Sequence, residues 1–72
     1  MNFNIRLIRQ QRRRMEREAL KQSDAVARQR YRIILALDNN ESPSLIHDVL
    51  GVARSTVYRL AYRFLAVGEA AL

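Results

Sequence analysis

The run Ser42-Pro43-Ser44-Leu45-Ile46-His47-Asp48-Val49-Leu50-Gly51-Val52-Ala53-Arg54-Ser55-Thr56-Val57-Tyr58-Arg59-Leu60-Ala61-Tyr62-Arg63-Phe64-Leu65-Ala66-Val67-Gly68 contains two helices and the corner between them. Ser42 can accept a hydrogen bond from an orphan N–H at a helix start, and Pro43 sits where its missing donor costs nothing. A short helix therefore begins at residue 43. Gly51 ends it, because glycine enters the left-handed region without a Cβ penalty and turns the chain. A second helix follows from about Arg54 to Val67, and Gly68 closes it. At about 100° per residue, Val57, Leu60, Ala61, Phe64 and Val67 share one arc, while Arg54, Ser55, Tyr58, Arg59, Tyr62 and Arg63 occupy the opposite half. Thr56 lies on the border, and Leu65 falls among the polar residues. The inner arc predicts burial; the outer arc presents hydroxyls, phenols and guanidinium groups.

Upstream, Asp38-Asn39-Asn40 stops an earlier helix. Ser23 or Asp24 caps its start, and it runs through Val26, Ala27, Ile33, Ile34 and Leu37 with Arg28, Arg30 and Arg32 interleaved. This is the central core helix. Residues 5–21 hold no Gly or Pro and are rich in helix-favouring side chains, with Ile5, Ile8, Met15 and Ala19 at roughly helical spacing. Arg12 interrupts that stripe. Residues 1–22 are thus expected to form a basic helix, or an arm that orders fully on a partner, ahead of a domain spanning 23–72. The sequence contains neither an internal repeat nor a low-complexity tract.

Seventy-two residues support one domain, whose helices must share nearly all of a small core. The formal net charge is +6, with 13 Lys and Arg against 7 Asp and Glu. Lys21 is the only lysine, so the cations are otherwise arginines, whose planar fork can grip a phosphate or a guanine edge through two hydrogen bonds. A polyanionic partner follows, with nucleic acid favoured over membrane. Most of the positive charge lies in residues 1–32, which include Arg12, Arg13 and Arg14; from residue 33 onward acids slightly outnumber Arg54, Arg59 and Arg63. Cysteine is absent and His47 is the only histidine, so no metal site and no cofactor is expected. No apolar run approaches the roughly 20 residues of a membrane span, and a cytoplasmic, nucleoid-associated location is expected. The seven carboxylates form no triad suited to two-metal phosphoryl chemistry, so this chain is expected to bind and not to catalyse.

A short helix, a glycine corner and a second helix with an outer face of Arg, Ser, Thr and Tyr make a helix-turn-helix suited to double-stranded DNA. The major groove admits one α-helix, Arg can donate to O6 and N7 of guanine, and Ser and Thr serve base edges or phosphates. Tyr58 and Tyr62, one turn apart beside Arg54, Arg59 and Arg63, suit phosphate contacts through their hydroxyls. The arginines at 12, 13 and 14 would add affinity without sequence preference, since phosphates carry no sequence information.

The motif resembles the twenty-residue helix-turn-helix signature, with Ile46, Leu50, Val52, Val57 and Leu60 at its apolar places and Gly51 at its glycine. The string from Leu50 to Arg59 is similar to the "LGVSRSTVYRW" stretch of bacterial insertion-sequence transposases related to the mariner group, and to invertase-type recombinases. Arg28 to Leu37 resembles their "RxRxxIILxL", and Arg63-Phe64 through Gly68 to Leu72 their "RFxxxGxxxL". The resemblance covers residues 24–72. It implies an all-α, three-helix homeodomain-like fold with an additional N-terminal basic helix. It further implies that Ser55 and Arg59 read base edges while Thr56 and Tyr58 hold the backbone. The implied role is recognition of transposon ends, with the catalytic domain following downstream. A small transcriptional regulator uses the same interface, and a protein-interaction module docking an acidic partner on the basic helix is the alternative of a different class; self-association on DNA is compatible with each. Two positions depart from the pattern. His47 stands where a small residue usually lets the motif helices touch, and is expected to be a tolerated misfit. Ala53 stands where a capping Ser is usual, which should cost about 1 kcal/mol.

Overall fold

The computed structural model describes residues 5–72, which form four α-helices and a terminal 3₁₀ turn: α1 Arg9–Lys21, α2 Ala25–Asp38, α3 Pro43–Leu50, α4 Arg54–Val67 and the turn Gly68–Ala71. Helices α2, α3 and α4 each pack on the other two, and α1 packs on α2. The fold is all-α. Its core gathers Met15 from α1, Ile33, Ile34 and Leu37 from α2, Ile46 from α3, and Val57, Leu60, Ala61 and Phe64 from α4. Val52 from the corner, Ile5 and Leu7 from the N-terminal segment, and Ala71 from the last turn complete it.

The helix ends follow the local chemistry. Asp24 accepts a hydrogen bond from the Val26 N–H at 3.0 Å and is the cap of α2, settling the choice between it and Ser23. At the other end Asn40 adopts φ 63°, and the Glu41 N–H reaches the Ala36 carbonyl while the Asn40 N–H reaches that of Leu37. This is the two-bond closure in which a left-handed residue satisfies the last carbonyls of a helix. Ser42 accepts from the Leu45 N–H, Pro43 opens α3, and Gly51 ends it at φ 71°.

Three expectations are corrected. The first helix starts at Arg9, not residue 5: residues 5–8 carry no regular secondary structure, and Ile8 just before α1 is extended at φ −70°, ψ 157°. Ile5 and Leu7 are buried there while Arg6 and Ile8 are exposed, the alternation of extended chain, so Leu7 takes the core place that helical spacing assigned to Ile8. Of the helix or arm expected over residues 1–22, Arg9–Lys21 is helical, and Ile5, Leu7, Met15 and Ala19 are buried. Second, Val67 is 57% exposed. It takes φ −128°, ψ 3° before Gly68, so the helical arc no longer describes it. Third, Val26 is exposed and Ala27 only half-buried, because the first turns of α2 extend past the core.

Asp38 organises the N-terminal segment. Its Oδ1 accepts the Leu7 N–H at 2.7 Å and its Oδ2 accepts Arg12 Nε at 2.6 Å, while Arg12 Nη2 also donates to the Leu7 carbonyl at 3.4 Å. Burial is the largest single influence on this carboxyl and pushes its pKa up. The bonds from Arg12 and Leu7, with the charges of Arg12 and Arg6, outweigh it and hold the group below the usual carboxylate range. Arg14 pairs with Glu69 of the last turn, tying α1 to the chain's end. Tyr31 lies in the field of Glu18, Glu69 and Arg14; its partial burial first, then the two glutamates, raise its pKa against the opposing pull of Arg14.

Candidate nucleic-acid interface

Helix α4 separates its faces as its sequence demands. Val57, Leu60, Ala61 and Phe64 are buried against the other helices, which fixes the rotation of α4 about its axis. On the outer side Arg54, Ser55, Thr56, Arg59, Tyr62 and Arg63 are exposed, and Tyr58 is half-buried. The helix contains no carboxylate, and Arg54, Arg59 and Arg63 form no ion pair among the described residues. Their donors are therefore directed to solvent or to a partner.

The outer face resolves into three rows. Ser55, Arg59 and Tyr62 stand opposite the core. Thr56 and Arg63 flank that row on the side toward α2, and Arg54, Tyr58 and Leu65 flank it on the other. A crevice between α2 and α4 is lined by Arg30, Thr56, Arg59, Leu60 and Arg63. Arg30 was not among the site residues expected from the sequence, although a signal was there. It shares the helical arc of Ile33, Ile34 and Leu37, yet it is an arginine, one turn before the core begins.

The other expected residues lie elsewhere. Arg12 and Arg14 are engaged by Asp38 and Glu69. Arg12 is bound at the end of α2 remote from Arg30, about 12 Å along the helix axis. Arg13 is exposed and lines a shallow depression on α1 with Glu16, Arg17 and Leu20.

The corner that presents α4 is braced by the residue expected to fit it poorly. His47 Nδ1 lies 2.6 Å from the Val52 carbonyl oxygen, and the Gly51 N–H bonds the His47 carbonyl at 2.9 Å. A carbonyl only accepts, so Nδ1 carries the proton. The imidazole is exposed, tilted outward across the corner, and it leaves the packing of Ile46 and Val57 intact. No group of three or more metal-ligating side chains occurs among the described residues. Ala53 precedes α4 without a side-chain cap.

The fold and this face define a helix-turn-helix domain of the kind that binds DNA. Residues 24–72, more than half of the chain, match the homeodomain-like domain family, and the chain belongs to that family. No curated protein and no solved structure matches it. Among the described residues no helix is long and apolar enough to cross a membrane.

Proposed function

We propose that the domain binds duplex DNA in a sequence-directed way by laying α4 in the major groove, with Ser55 and Arg59 on base edges and Arg54, Thr56, Tyr58, Tyr62 and Arg63 on the flanking backbones. The observation that carries this reading is the exposed, carboxylate-free face of α4, held outward by an opposite face that is wholly buried. A helix about 10–12 Å across fits a groove about 12 Å wide, and a protruding Arg in the middle of its face has the paired donors that guanine accepts. Arg13 adds sequence-independent attraction from α1.

The target we infer is the terminal repeat of a mobile element. Support comes from the similarity of Leu50–Arg59 and its flanking strings to insertion-sequence transposases. The test is selection of preferred duplexes from a random pool by the parent and by Arg59→Ala. The substitution should leave the helical fold unchanged, reduce binding to the preferred duplex tenfold to a hundredfold, about 1–3 kcal/mol, and relax preference at one or two base pairs. Recovery of the same preferred sequence by both proteins would remove base reading from this face. Enrichment of a mobile element's ends from its genomic DNA supports the narrower target, and equal recovery of unrelated promoters refutes it.

A further inference from the structure

The crevice between α2 and α4 brings together three arginines from two helices. Arg30 contributes from α2, Thr56, Arg59 and Arg63 from α4, and Leu60 forms its floor. Neither a carboxylate nor any other acidic group lines it. None of the three arginines forms an ion pair among the described residues, although this chain uses Asp38 and Glu69 to neutralise Arg12 and Arg14 elsewhere in the fold. Like charges collected on converging walls without a counter-charge repel one another and concentrate a positive potential, which an oxyanion relieves.

We propose that this crevice holds one backbone phosphate of the DNA strand bordering the groove that α4 enters. Arg30 and Arg63 donate from its two walls and the Thr56 hydroxyl donates between them; Arg59, in the central row, reaches past the phosphate to the bases. A phosphodiester offers two unesterified oxygens, which suits guanidinium forks arriving from two directions. The proposal rests on the reading of α4 as the groove helix and adds a function for α2. A contact off the axis of α4 adds affinity from a second helix without touching a base. Arg30 is thus a phosphate-binding residue that carries no sequence information itself.

The test measures binding of the full chain to its selected duplex and to a random duplex across a salt series, for the parent, Arg30→Ala and Arg59→Ala, with circular dichroism melting of each. Arg30 is exposed, so its removal should leave the melt unchanged. Loss of one phosphate contact should reduce the slope of log K against log salt by about 0.9 and weaken binding to both duplexes by the same factor, about eightfold at 0.1 M salt. The selected sequence should remain that of the parent, in contrast to Arg59→Ala. Parental affinity and slope in Arg30→Ala would overturn the phosphate site while leaving groove reading by α4 intact. A changed base preference in Arg30→Ala would overturn it by making Arg30 a base reader. Absence of salt-dependent duplex binding in the parent would refute both readings.

Discussion

His47, Gly51 and Ala53 stand within seven residues of one another and determine how α3 hands the chain to α4. A ring expected to crowd the helix contact instead donates across the corner to Val52, so its removal costs a bond and relieves no clash. His47→Ala should therefore lower stability by about 0.5–1.5 kcal/mol in urea unfolding, where a misfit would have given a gain. At Gly51 a Cβ would meet nothing within 4 Å, so the only objection to a side chain is φ 71°. Gly51→Ala should cost about 1–2 kcal/mol through backbone strain alone, and Gly51→Asn distinctly less, since Asn enters the left-handed region more readily. Thermal melts of the pair separate strain from steric clash. Ala53 leaves the first N–H groups of α4 without a side-chain acceptor, and Ala53→Ser should raise stability by about 1 kcal/mol.

Helix α1 is held by its packing on α2, by the pair of Arg14 with Glu69 and by a carboxylate at the end of α2. Asp38 accepts the Leu7 N–H and the Arg12 side chain together, fastening the extended residues before α1 as well as α1 itself. Because its pKa is lowered in the folded chain, the stability it contributes is fully present above the ordinary carboxylate pKa of about 3.9 and is lost as pH falls through the folded value. Acid unfolding of the parent should begin there with release of the N-terminal segment, followed by hydrogen exchange at the Leu7 amide. Asp38→Ala should remove that acid-sensitive step and lower neutral-pH stability by about 1–3 kcal/mol, the cost of leaving the Leu7 donor unsatisfied. An unchanged acid limb would show that another carboxylate governs it.

Over the whole molecule the core spans all four helices, so α1 is not an appendage to the residues that carry the motif. Met15 is fully buried and joins the cluster containing Ile34 and Val57. Met15→Ala should cost about 2–5 kcal/mol, a large part of the roughly 5–15 kcal/mol available to a small domain. Residues 24–72 expressed alone should melt well below the full chain for the same reason. The charge of α1 is also partly internal: Arg12 and Arg14 engage carboxylates of this chain. Arg13→Ala should weaken binding to selected and random duplexes equally while leaving the melt unchanged, whereas Arg12→Ala should lower the melting temperature. Competition binding and calorimetry on the two variants distinguish these outcomes.

Local rules placed α2, α3 and α4, because caps, left-handed residues and helical periodicity act within a few residues: Asp24, Asn40, Ser42 and Gly51 each fulfil at short range the role their chemistry sets. The division of α4 into a buried and an exposed face was legible for the same reason, one helix having one periodicity. Helical periodicity ends at Leu7 and Ile8, which lie in extended chain, and at Val67 beside Gly68, and there the pattern no longer predicts burial. Contacts between residues far apart along the chain have no local signature. Asp38 and Arg12 are 26 positions apart and Arg14 and Glu69 are 55, so only the tertiary structure shows that these arginines also tie the fold together. Packing also decided that Arg30, on the core-facing arc of α2, lines one crevice with Arg59 and Arg63 of α4.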